Sequence, residues 1–157
     1  MRRACICMVL GLILCISAVA QSEKIQGVWK LNEQSTGGGT KVISQPSMYL
    51  FTKKHYSIIY VAAETPRAVV DDISKMTADE LRATFVSGFI ANAGTYEFKG
   101  GKLTLHTLVA KSPAFMAAGI SATSAVTIKG NSMTMVSESN NSGPVQNPTT
   151  SKFTRIE

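Results

Sequence analysis

From Ile25 onward, apolar and polar residues alternate along most of the chain, the period-2 pattern of strands with one buried face. Ile25, Gly27, Trp29 and Leu31 share one parity, and Tyr56, Ile58 and Tyr60 share the face of another strand. The pattern returns at Tyr96 and Phe98, at Leu103, Leu105 and Val109, at Val126 and Ile128, at Met133 and Met135, and at Phe153 and Arg155. Turn signals separate these short segments: Gly37-Gly38-Gly39, Gly100-Gly101 and Gly130-Asn131. Glu97 to Leu103 therefore predicts a hairpin turning at Gly100-Gly101, and Val126 to Met133 predicts another. Hairpins in sequence imply an antiparallel meander.

One helix interrupts the strands, predicted over about 77–91. Thr77 and Glu80 have the spacing of a capping box, and Met76 and Leu81 occupy the staple positions on either side of the cap. Leu81, Phe85 and Phe89 then recur at helical spacing as one apolar stripe, with Asn92 and Gly94 as the stop. The stretch from Ser137 to Ser151 is rich in Ser, Asn, Gly, Pro and Thr and predicts a long loop before the last strand. Eight or so antiparallel strands must pack as two sheets or close on themselves to remove exposed edges. Apolar residues on both parities, as in Met48-Tyr49-Leu50-Phe51, favour closure. The fold class expected is all-β, an eight-stranded antiparallel barrel with one inserted helix.

The first twenty residues follow a different pattern. Arg2 and Arg3 precede an apolar run from Ile6 to Ile16, and Ala18-Val19-Ala20 precede Gln21, the layout of a cleavable secretory signal. The run is shorter than the roughly 18 residues of a membrane-spanning helix. The domains expected are thus a signal peptide at 1–20 and a barrel at 21–157, exported to a periplasm or secreted, with no stable membrane span after cleavage. Cys15 follows Leu12-Ile13-Leu14, but a lipoprotein box requires a small residue where Leu14 stands, so lipidation is not expected.

Composition narrows the function. All three cysteines, Cys5, Cys7 and Cys15, fall in the signal, so the exported chain has no disulfide, thiolate nucleophile or sulfur-bound zinc. Removing Arg2 and Arg3 from the 16 basic residues leaves 14 against 10 acidic ones, a net charge of +4. These charges are scattered, without the basic stripe of a nucleic-acid-binding surface. Gly37-Gly38-Gly39-Thr40-Lys41 lacks phosphate-loop spacing, no Gly-x-Ser-x-Gly elbow is present, and Asp71-Asp72 precedes the helix as a solvated or capping pair. His55 and His106 have no carboxylate at ligand spacing, so no metal or cofactor is expected.

Five motifs occur in a fixed order: Gly27-Val28-Trp29-Lys30-Leu31 at the first strand, Ala93-Gly94-Thr95-Tyr96 after the helix, His106 ten residues beyond Tyr96, Ser112-Pro113 before Gly119, and the closing Phe153-Thr154-Arg155-Ile156-Glu157. The first is similar to the Gly-x-Trp opening of a first lipocalin strand, and the set in this order resembles the bacterial lipocalin-like domain proteins, relatives of the lipocalins within the calycin superfamily. The resemblance implies an eight-stranded lipocalin-like barrel able to hold a small apolar molecule. It also implies that Trp29 closes one end with Arg155 packed over its ring, as structural residues. One departure concerns ligand chemistry: related fatty-acid carriers grip a carboxylate with an Arg-x-Tyr pair, whereas here Arg155 is followed by Ile156 and Glu157.

The candidate ligand-binding residues are Tyr49, Phe51, Tyr56, Tyr60, Tyr96 and Phe98, whose rings combine apolar area with hydroxyl donors, together with His106 as a polar contact. A packed core explains the same rings, and a hydrogen-bonded structural role explains the same histidine. Three readings stay open: a carrier of a small hydrophobic ligand, an isomerase-, cyclase- or hydratase-type enzyme using His106 and a tyrosine as acid and base, and an envelope protein with a filled core.

Overall fold

The computed structural model describes residues 24–63, 65–67, 69–117 and 120–157. The expected signal peptide, its three cysteines and Gly119 lie outside the described residues. The strands are β1 (Gly27–Thr36), β2 (Gly39–Val42), β3 (Ser47–Phe51), β4 (His55–Val61), β5 (Phe89–Lys99), β6 (Lys102–Ala110), β7 (Ser121–Lys129), β8 (Ser132–Asn140), β9 (Gly143–Pro144) and β10 (Thr150–Arg155). Neighbours pair antiparallel in the order β1, β3, β4, β5, β6, β7, β8, and β10 bridges β8 and β1, closing the ring at eight strands. The short β2 and β9 only extend β1 and β8. Closure pairs every long strand on both sides, so none is left as a sticky edge.

The strand alternation sorts side chains inward and outward, and the inward set is concentrated toward one end. Trp29 and Leu31 on β1, Phe51 on β3, Leu103 on β6 and Met133 on β8 are all under 2 % exposed and belong to one apolar cluster. These residues lie near the start of β1 and of β6, the end of β3 and the start of β8, which the register places at the same end of the barrel. At the other end, every connection is longer or richer in polar residues. The molecule therefore has a packed floor and a looser mouth.

The floor is sealed by three residues acting together. Trp29 is fully buried and its indole Nε1–H donates to the Ile25 carbonyl at 2.8 Å. The Arg155 guanidinium lies 4.1 Å from the centroid of the Trp29 ring and donates to the carbonyls of Gln26 and Lys24. Gly27, at φ +125°, completes the arrangement, because a Cβ there would come within 2.6 Å of the guanidinium and 2.4 Å of the Glu157 carbonyl oxygen. The Gly-x-Trp spacing thus clears a path for the arginine and presents the ring it covers.

Two local expectations change. The capping box forms, with Glu80 N–H donating to the Thr77 hydroxyl at 3.3 Å and Thr77 N–H donating to the Glu80 carboxylate at 2.8 Å. The helix α1 (Ala78–Leu81) then loosens into a π-helical turn (Arg82–Ser87) and stops before Phe89, short of the predicted residue 91. Phe89 to Asn92 instead zip onto β4 opposite Val61, Tyr60, Ile59 and Ile58, because a ladder of interstrand hydrogen bonds outweighs a marginal helix. Similarly, the predicted loop from Ser137 to Ser151 is partly strand: Ser137 to Asn140 continue β8, and Thr150 and Ser151 begin β10. Near the mouth both strand faces are polar, which erases the hydrophobic alternation without removing the pairing.

Candidate functional site

Inside the barrel the structure brings together all six rings expected from the sequence. Tyr49, Phe51 and Tyr56 are buried, while Tyr60, Tyr96 and Phe98 are half-buried against the same cluster. The rings touch one another: Tyr49 meets Phe153 edge-on at 4.8 Å and stacks on Tyr60 at 6.0 Å, and Phe51 meets Tyr96 edge-on at 5.3 Å. The hydroxyls of Tyr56 and Tyr96 are also engaged. Tyr56 shares a 3.0 Å hydrogen bond with the Thr107 hydroxyl, and Tyr96 donates to the Thr52 carbonyl at 2.6 Å.

Burial makes these phenols hard to ionise. It pushes the pKa of Tyr49, Tyr56, Tyr60 and Tyr96 upward, reinforced at Tyr49 by the neighbouring Tyr60 and opposed at Tyr56 by Thr107 and at Tyr60 by Gln34. The unfolded phenols ionise near their ordinary value of 10.0, so above that pH the unfolded state loses protons that the folded state keeps. The stabilisation is complete below that pH and is lost as pH rises beyond it. Urea midpoints measured from pH 8 to pH 12, conditions of about that span, are expected to fall above pH ~10, and Tyr49→Phe is expected to flatten the fall. A midpoint independent of pH there would mean that the phenols ionise freely in the folded barrel.

His106 does not join the rings. Leu103, Leu105 and Thr107 alternate along β6 with their side chains toward the core, so His106 takes the opposite face, paired in the ladder between Thr95 and Ser121. It is only half-buried. The histidine–tyrosine acid–base pair considered from the sequence is therefore not assembled, because one residue of register puts a side chain on the other side of a sheet. His55 begins β4 and is exposed. Among the described residues no group of three or more His, Cys, Asp and Glu could hold a metal ion. No helix among them is long and apolar enough to cross a membrane.

An open cavity of about 290 Å³ lies instead at the mouth, where β6, β7 and β8 reach the rim. Thr107 and Ala122 supply its wall from the inward faces of β6 and β7. Ala114, Phe115 and Ile120 come from the β6–β7 connection, whose 3₁₀ turn (Pro113–Met116) starts at Pro113, and Asn140, Asn141 and Ser142 come from the end of β8. Asn141 fastens the two sides, accepting from the Ser121 N–H at 2.6 Å through Oδ1. None of the six aromatic candidates lines this cavity; they pack against one another below it, since interlocking rings leave less space than the same rings arranged around a void. Their link to it is the Tyr56–Thr107 hydrogen bond.

Sequence reasoning missed these wall residues. The usable signal was Phe115-Met116, an apolar pair in a connection after Ser112-Pro113, and both side chains are exposed in the fold. Asn140, Asn141 and Ser142 fall in the stretch predicted as a long loop, and only the register of β7 against β8 sets Asn140 opposite Ala122.

An eight-stranded antiparallel meander that closes its last strand onto its first, with a floor sealed by a tryptophan and an arginine and an opposite open mouth, is a lipocalin-like barrel. Among solved structures the chain is similar to a lipocalin-like protein from Bacteroides uniformis ATCC 8492, at 18% sequence identity and a TM-score of 0.48, over 85% of this chain and 99% of that one. No family model and no curated protein matches the chain.

Proposed function

We propose that the protein is an exported carrier that holds a small hydrophobic molecule at the mouth of its barrel. The observation that carries this reading is the cavity walled by Ala114, Phe115, Ile120 and Ala122 above a sealed floor. A pocket of this kind removes apolar ligand surface from water at roughly 25 cal/mol per Å² buried. Export rests on the layout of residues 1–20 and places the carrier in a periplasm or outside the cell. The aromatic set serves as the platform beneath the ligand, with Tyr56 holding the Thr107 hydroxyl in place.

Ala122→Trp tests the site directly, because an indole grown from the inward face of β7 occupies the cavity. Native mass spectrometry and titration with a panel of fatty alcohols, fatty acids, isoprenoids and aromatic compounds should show occupancy in the unaltered protein. The plugged variant should bind at least roughly tenfold more weakly while keeping its circular dichroism. Binding that survives the plug unchanged would place the ligand elsewhere, and a panel with no binder at all would remove the carrier reading.

A further inference from the structure

The connections that turn at the floor of the barrel are short hairpins, and each carries lysine. Lys53-Lys54 join β3 to β4, Lys99 and Lys102 flank Gly100-Gly101 between β5 and β6, and Lys129 precedes the turn from β7 to β8. Lys24, whose carbonyl accepts from Arg155, adds a cation at the same end. Scattered along the chain, these lysines are gathered by the meander, because alternate connections of a closed up-and-down barrel share one rim. Lys24, Lys53, Lys54, Lys99 and Lys129 are exposed and take part in no ion pair among the described residues, whereas Lys102 pairs with Glu138 at 2.9 Å. The carboxylates nearest them are Glu97, two residues before Lys99, and Glu157. At the mouth, the connection between β4 and β5 mixes both signs, with Lys75 on Asp72 at 3.3 Å.

The arrangement of these cations selects a partner. Neighbouring strands lie about 4.8 Å apart, so successive hairpin tips are roughly 10 Å apart, set around a rim rather than along a groove. Such a rim meets a charged plane better than a linear polyanion, which calls for a basic stripe. The rings at this end, Trp29, Phe51 and Phe98, pack into the apolar cluster and leave no platform on which a nucleic-acid base could stack. Ile156 is instead 60 % exposed there, with its N–H donating to the Val28 carbonyl at 2.8 Å, and offers an apolar contact among the cations.

We propose that the floor docks on an anionic lipid surface, with the mouth turned away from the bilayer. The export proposed above delivers the chain to the far side of a membrane, where such a surface is at hand. Each lysine close to an anionic leaflet strengthens binding by about fivefold, an attraction that salt screens. The strands of the ring all lie within 27–155, so the chain from Gln21 onward carries the whole barrel and is the protein to test. In co-sedimentation at low salt it should bind vesicles of equal parts phosphatidylcholine and phosphatidylglycerol at least roughly tenfold more tightly than phosphatidylcholine alone, and leave them in roughly 0.5 M salt. Lys53→Glu with Lys129→Glu, at two exposed turns, should weaken that binding at least roughly tenfold with unchanged circular dichroism. Lys75→Glu with Arg82→Glu makes the same change of net charge at the mouth and should cost less than about threefold. Equal losses in the two double variants would tie binding to net charge and overturn the floor as the docking face. Absence of binding to the mixed vesicles, or binding that ignores salt, would overturn the proposal outright. So would equally tight binding of a single-stranded oligodeoxynucleotide, which would mark a general polyanion site. None of these outcomes depends on the mouth cavity, so the carrier reading stands or falls separately.

Discussion

Trp29→Ala is expected to lower stability by about 3 to 5 kcal/mol, the usual cost of emptying a large aromatic site in a core. The side chain is fully buried, so little of the void can be filled from solvent, and three interactions depend on it. Its indole N–H holds the Ile25 carbonyl, its ring faces the Arg155 guanidinium, and that guanidinium in turn ties the carbonyls of Gln26 and Lys24. The measurement is the urea midpoint at constant m, together with a melting temperature lowered on the order of 10 °C for a chain of this size. Trp29→Phe separates packing from polarity: it keeps an aromatic face for Arg155 but forfeits the hydrogen bond, and should cost about 1 to 2 kcal/mol. An alanine variant as stable as the parent would show that the floor is not a determinant of the closed barrel.

Gly94→Ala carries the second large effect, expected at about 3 kcal/mol from overpacking against atoms that cannot rotate away. Gly94 lies within β5 where its pairing with β6 shifts register, and a Cβ built on it would lie 2.0 Å from the His106 carbonyl oxygen and 2.9 Å from the Leu108 nitrogen. Both are backbone atoms, so relief requires the two strands to part. Gly100 provides the contrast. A Cβ there meets nothing within 4 Å, and its φ of +60° makes the cost of Gly100→Ala one of backbone conformation, about 1 to 2 kcal/mol. Chemical denaturation of both variants decides the matter: equal costs would mean that the close approach of β5 and β6 is relaxed without strain.

Gly94 also shows how a local reading and a tertiary one diverge. In the sequence it serves as a stop for the helix, because glycine ends helices readily. In the fold it is deep in a strand, chosen for the close passage of a neighbouring backbone. The helix was legible at its start, where the Thr77–Glu80 box is a contact between residues three apart, and less so at its end, where β4 competes for Phe89 to Asn92. The candidate site divides in the same way. The six rings could be recognised as interior by parity, yet parity does not say whether interior side chains surround a space or fill it.

What the sequence by itself determined is the set of features governed by neighbours along the chain: strand periodicity, the Gly100-Gly101 hairpin, the capping box, and the Gly-x-Trp opening that prepares the floor. Tertiary structure alone decided the outward face of His106 and the cavity that joins Thr107, Phe115, Ala122 and Asn140. The physical reason is range. Turns, caps and alternation depend on residues a few positions apart, whereas a cavity is the space left after strands distant in sequence have settled their register, and a bulge of one residue between β7 and β8 is enough to change which side chains border it.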